Sequence, residues 1–296
     1  MNDLRRLWLY DILPRMLPFA DAGSAELPLP RLLRLSLFQA SVGMAIVLLY
    51  ATLNRVMVVE MAVPVWLVSL MVALPVLFAP FRALIGHRSD IHRSAFGWRR
   101  VPFLWFGSLL QFGGLAIMPF ALLLLAEGGN APPWAGQLGA AVAFLLAGAG
   151  LHTTQTAGLA LATDLAPETS RPRVVALLFV ALQLSMLASA LLFGWLLTDF
   201  SQMRLIQVIQ GAAVVTMVLN VIALWKQEPW NRKRAKQMAA DRSAHKPRPR
   251  FVESWRAFVA DTRSSRLLVA LGLGTAGIHD AGDSAGTLRR SGTRSE

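Results

Sequence analysis

Cysteine is absent from the 296-residue chain. That removes disulfides, thiol nucleophiles and Cys-based metal sites, and it leaves the redox compartment unread. Charge is scarce as well: 16 % of residues are charged, against roughly 25 % in an ordinary soluble domain. Acidic residues are the scarcer sign, 17 Asp and Glu against 29 Lys and Arg, for a net charge of +12. A secretory signal is missing too, because Asp11, Pro14, Arg15 and Pro18 interrupt any apolar stretch behind Arg5 and Arg6. Leu4, Trp8 and Ile12 suit either a short amphipathic surface helix or a partly ordered tail. There is no phosphate-cradling loop with a lysine, no HExxH and no plausible triad, so the expectation is a protein that is not an enzyme. Nucleic acid is not expected as a partner, because no recognition fold accompanies the basic charge.

What is present is apolar sequence in long uncharged blocks: 55 % of residues are hydrophobic and the mean hydropathy is +0.49. A helix crossing a ~30 Å hydrocarbon core needs about 20 apolar residues. Backbone groups in lipid must bond internally, so such blocks read as spanning helices. Six are expected, over about 35–53, 61–81, 101–126, 136–163, 174–198 and 205–225, forming a bundle over 35–225. Residues 1–34 read as an N-terminal segment and 226–266 as a basic loop. Residues 267–278 begin a seventh span too short to cross, and 279–296 form a polar tail of Gly, Ser, Thr, Asp and Arg. The abrupt change reads as a truncation, natural or from sequencing, after an N-terminal half.

Lys and Arg set the orientation. The segments 1–34, 82–100, 171–173 and 226–266 carry 24 of them, and the alternate connections carry two, Arg55 and Arg204. The N-terminus and the long basic loop are therefore expected in the cytoplasm. That loop suits contact with anionic lipid headgroups, with docking of an acidic partner as the alternative.

Three groups of residues stand out. Gly86-His87-Arg88-Ser89-Asp90, with Arg93 and then Gly97-Trp98-Arg99-Arg100, places a turn, a carboxylate and paired cations at the end of span two. A charged turn between spans is the plainer reading. Asp164, Glu168, Arg171 and Arg173 fall in the turn between spans four and five, where gating and simple solvation both fit. Within span four lie His152, Thr153, Gln155 and Thr156. His152 is 12 residues before Asp164, roughly 18 Å at 1.5 Å per residue and so near mid-membrane. An ionisable residue at that depth is a functional-site hypothesis by default. A neutral imidazole can supply a nitrogen to a metal. Interhelical hydrogen bonding is the competing account, and Ala147-Gly148-Ala149-Gly150 favours it by permitting close helix approach. Gln39, Gln111 and Gln183 are weaker candidates of the same kind.

The Gly86/Asp90 and Gly97/Arg99/Arg100 groups resemble the signature of the major facilitator superfamily, with extra residues between Asp90 and Gly97. Longer stretches, among them LPLPRLLRLSLFQASVGMA, APFRALIGHRSDIHRS, GWRRVPFLWFGSLLQFGGLAIMPFALL and GLHTTQTAGLALATDLAPE, resemble the PucC/LhaA family, the bacteriochlorophyll-delivery type of that superfamily. The resemblance covers about residues 1–276. It implies an all-α membrane protein: the N-terminal six-helix half of a major-facilitator-type fold, a basic cytoplasmic linker and a truncated seventh helix. It further implies a light-harvesting antenna assembly factor in the photosynthetic inner membrane. The expected partners are antenna polypeptides, membrane lipids and bacteriochlorophyll, as cargo or ligand, or its synthesis machinery; the pigment's magnesium, with its open axial position suited to His152, is the one metal the resemblance implies. A secondary transporter of a small molecule or lipid, an inactive truncated product and rescue as a homo-oligomer stand as alternatives.

Overall fold

A computed structural model describes residues 22–24, 27–92, 94, 97–127, 132–228, 236–238, 240 and 250–270. The N-terminal 21 residues, Arg93, the run Arg232-Lys233-Arg234, residues 271–278 and the tail 279–296 lie outside these. Among the described residues every regular element is helical. The chain divides into two compact units, 1–245 and 246–296.

Among the described residues of the first unit, six helices are long and apolar enough to cross a membrane: α1 Leu29–Glu60, α2 Val65–Asp90, α3 Val101–Glu127, α4 Pro133–Leu165, α5 Arg171–Leu196 and α6 Gln202–Leu224. Proline sets several starts. Pro30, Pro133 and Pro172 sit in the first turn of α1, α4 and α5, where a missing N–H leaves no bond unmade. The Ser201 hydroxyl caps α6 by accepting from the Arg204 amide at 3.1 Å.

Two elements extend past the charges that bound the apolar blocks. α1 runs through Arg34 and Arg55, and its far half is wound as π-helix at Val47–Thr52 and Val56–Glu60. α2 runs through Arg82 to Asp90 and tightens to a 3₁₀ turn at Leu74–Phe78 around Pro75. The Gly86–Asp90 group, read from sequence as a loop, is thus the end of a helix. Helical backbone bonds itself wherever water is scarce, and a long cation at a helix end can reach out or find a partner.

The spans alternate in direction, with the ends of α2, α4 and α6 on the face where α1, α3 and α5 begin, called here the basic face. α1 and α4 are the most enclosed helices, with 67 % and 50 % of their apolar windows buried, whereas α2 has 17 % buried. α3 packs closely along α4 through small residues. A Cβ on Gly114 would lie 2.3 Å from the Ala147 nitrogen, and one on Gly150 would lie 2.2 Å from the Gln111 nitrogen. Two large apolar clusters result, with a small third one of Val42, Ala45, Leu151 and Leu182. One around Leu32, Leu35, Phe38, Leu104 and Leu161 fills the basic-face half. The other, around Leu48, Met57, Leu115 and Phe144, fills the opposite half.

In the second unit, α7 spans Phe251–Ala260 and a further helical stretch covers 262–270. α7 therefore lies within 226–266, the segment expected as a basic loop. A ten-residue period is too short, and too interrupted by charge, to register against the basic run before it.

Candidate functional site

Chemistry-bearing side chains gather at two depths. The first group is at the basic face, where α3 starts with amides that have no intrahelical partner. The carboxylate of Glu228, beyond the end of α6, supplies one: it accepts from the Arg99 amide at 3.0 Å and the Val101 amide at 3.3 Å. An anion there also meets the positive end of the helix dipole. The neighbouring Gln227 is fully buried. Its side-chain oxygen accepts from Arg31 Nε at 3.2 Å and its backbone carbonyl accepts from the same guanidinium. Lys226 turns the chain toward this clasp with φ +54°, a left-handed backbone that a side chain makes costly.

Beside the clasp, Arg100 is the hub, with only 7 % of its side chain exposed. It pairs with Asp90 and, through Nε at 3.0 Å, with Asp164. It also donates to the Ser89 hydroxyl and to the Gly86 carbonyl. Arg99 lies 3.7 Å from Asp90. One guanidinium therefore joins the end of α2, the start of α3 and the end of α4. Gly97, at φ +77°, makes the turn before it in a conformation open to glycine. Gly86 carries no such requirement, because a Cβ there would meet nothing closer than Thr156 Cγ2 at 3.9 Å. The turn residues separate: Asp164 belongs to the Arg100 hub, while Glu168 pairs with Arg171 at 3.3 Å on the exposed surface. Arg173 is exposed nearby.

The second group lies inside the bundle, between the two apolar clusters. His152 is half-buried, and both ring nitrogens are enclosed, with the Pro75 backbone of α2 against the ring. The Arg82 guanidinium stands beside it. Arg82 Nε donates to the Thr156 hydroxyl at 3.2 Å, and that hydroxyl donates to the His152 carbonyl at 2.7 Å. Among the described residues no carboxylate lies within 4 Å of Arg82. It sits eight residues before Asp90 on α2, about 12 Å along the axis from the basic face. Thr153 is buried and spends its hydroxyl on the Ala149 carbonyl at 2.7 Å, and Gln155 is buried beside it.

Further in, Gln111 Nε2 donates to the Ser41 hydroxyl at 3.1 Å, leaving its oxygen without a partner. The Thr154 hydroxyl and both amide atoms of Gln39 and of Asn220 are likewise buried and unpartnered. The Arg31–Gln227 contact sets the antiparallel register of α1 and α6, which puts Gln39 and Asn220 at the same level. Each such orphan costs about 1–3 kcal/mol, so a layer of them marks where a polar ligand group or water would be held.

Four of the six loop-motif residues join the hub directly: Gly86, Asp90, Arg99 and Arg100. Gly97 shapes its turn, and Arg93 falls outside the described residues. His152 and Thr156 come together, and Gln183 is exposed on the outside of α5. Sequence reading missed Arg82, counted as a flanking loop cation, along with Gln227, Glu228 and Asn220. Asn220 had a signal, a lone amide in an uncharged apolar run.

The PUCC protein family profile matches residues 52–280. The chain is 60 % identical over 267 residues to Protein PucC of Rhodovulum sulfidophilum, covering 89 % of this chain and 58 % of that protein. It is 58 % identical over 260 residues to an uncharacterized protein in the puhA-bchM intergenic region of Rhodobacter capsulatus, covering 88 % and 53 %. A more distant similarity, 28 % over 198 residues, is to the bacteriochlorophyll synthase 44.5 kDa chain of Rhodobacter capsulatus, covering 66 % and 44 %. The chain spans about half the length of the curated relatives it matches. No solved structure matches.

Proposed function

The chain belongs to the PUCC protein family, and from that membership we propose a non-catalytic membrane factor that binds bacteriochlorophyll and serves the assembly of light-harvesting antenna complexes. Its six spans would form one half of a major-facilitator-type fold in the photosynthetic inner membrane, with the N-terminus and the basic face in the cytoplasm. The excess of Lys and Arg on that face supports this orientation. Antenna polypeptides and the pigment-synthesis machinery would be its partners. The name of the distant relative, a bacteriochlorophyll synthase chain, supports a link to the pigment.

The observation that carries the reading is the imidazole of His152: an enclosed ring, near mid-membrane, between the Pro75 backbone of α2 and a cation that no described carboxylate neutralises. A neutral imidazole nitrogen suits the open axial position of a chlorin magnesium. Arg82, whose Nε is held by Thr156, keeps further guanidinium N–H donors for the carbonyl groups at a macrocycle edge. Pro75 of α2 lies hard against α4 at Gly148, where a Cβ would come within 2.6 Å of Pro75 Cα, so α2 borders the face of α4 that carries His152 one turn further on.

Titrating the purified chain in nanodiscs with bacteriochlorophyll tests the reading. Saturable binding with a shifted pigment absorbance is expected, and His152→Ala should weaken it at least tenfold. Equal binding by His152→Ala removes the imidazole as a ligand. Absence of saturable binding, together with ion-coupled uptake of a small molecule into proteoliposomes, would replace the whole reading with transport.

A further inference from the structure

α7 is unlike the six spans. Its ten residues, Phe251–Ala260, place Phe251, Val252, Trp255, Phe258 and Val259 within roughly one third of the helix circumference at 100° per residue. The three rings form a ladder, with centroids 6.1 Å apart from Phe251 to Trp255 and 6.0 Å from Trp255 to Phe258. Among the described residues no residue of α7 is buried, and Val252, Trp255, Phe258 and Val259 are each more than 40 % exposed. Glu253 and Ala260 lie on the opposite side, and Arg256 stands at the boundary. The helix is fixed at its start by Glu253, whose carboxylate accepts from the Arg250 amide at 3.3 Å. It ends at Asp261, which caps the following stretch by accepting from the Ser264 amide at 3.1 Å.

We propose that α7 is an interfacial helix that lies flat on an anionic lipid surface, with the Phe251/Trp255/Phe258 ladder and the two valines sunk among the acyl chains. Three features select this occupant. Aromatic rings with an apolar body are the side chains that settle at a membrane interface. Arg250, Arg256, Arg263 and Arg266 bracket the ladder and match anionic headgroups, and residues 226–266 carry 12 Lys and Arg against 4 Asp and Glu. The helix is too short to cross, and one apolar arc on a polar, basic helix is the pattern of a segment that lies in the plane. The inference is independent of any pigment role for the bundle.

The absence of cysteine makes the test clean, because single cysteines can be placed and nitroxide-labelled without background. Val252→Cys and Val259→Cys report the apolar face, and Glu253→Cys and Ala260→Cys the opposite one. The full chain is reconstituted in nanodiscs of phosphatidylcholine with 30 % phosphatidylglycerol, and in pure phosphatidylcholine. Labels at 252 and 259 should favour oxygen over a nickel chelate as collision partner, and labels at 253 and 260 the reverse. The contrast should weaken without the anionic lipid. Arg256→Gln should lower the ratio of inserted to free helix about fivefold. Nickel access at all four positions in both lipids overturns the proposal. So does an apolar face shielded from oxygen and nickel alike, which would mean a protein cover; dipolar broadening between labels would identify that cover as a second copy.

Discussion

Replacing Arg100 by Gln removes the charge that joins three helices and leaves a shorter polar side chain in its place. The cost can be worked from the contacts. Asp90 and Asp164 are 50 % and 42 % exposed, so solvent screens each pair and roughly 1 kcal/mol apiece is the upper end. The bonds to the Ser89 hydroxyl and the Gly86 carbonyl add about 0.5–1.5 kcal/mol together. That sum is kept small because Ser89 still donates to Gly86 at 2.8 Å and is not orphaned. The expected loss is roughly 2–3 kcal/mol. Arg100→Lys should recover only part of it, since an ammonium cannot span two carboxylates as the planar fork does. Unfolding of the detergent-solubilised chain by added dodecyl sulfate, followed through its nine tryptophans, gives the stability change. A double-mutant cycle with Asp164→Asn isolates the pair, and a coupling of about 0.5–1 kcal/mol is expected. Full additivity, or an Arg100→Gln chain as stable as the parent, would refute the hub.

Two further perturbations follow from the packing. Glu228→Ala removes the acceptor for the first amides of α3 and should cost about 1 kcal/mol in the same unfolding assay, while Glu228→Gln, which keeps the acceptor and loses the charge, should cost less. Gly114→Leu drives a side chain into the α4 backbone at Ala147 and should destabilise by about 1–3 kcal/mol or prevent assembly of the bundle; an unchanged midpoint would mean that α3 and α4 are not in this contact.

The spans were legible because an uncharged run of twenty or more residues has few homes other than a bilayer. Their ends were less so. Arg82 reads as the close of a span, yet the helix continues two more turns, because the cation finds Thr156 across the α2–α4 contact instead of needing water. The His152–Thr156 pairing was visible as one helical turn. Its neighbour Arg82 was not, since 74 positions separate it from Thr156 and no local pattern links them. The same distance in sequence hid Arg100–Asp164 and the Glu228 cap. α7 was masked by its setting, a short period of aromatics inside a basic stretch.

Purification of the chain in mild detergent from cells making antenna complexes tests the proposed role most directly. The account predicts that bacteriochlorophyll and antenna polypeptides co-purify with it and that His152→Ala releases the pigment. Recovery of the folded chain free of both, from membranes that contain both, would contradict it.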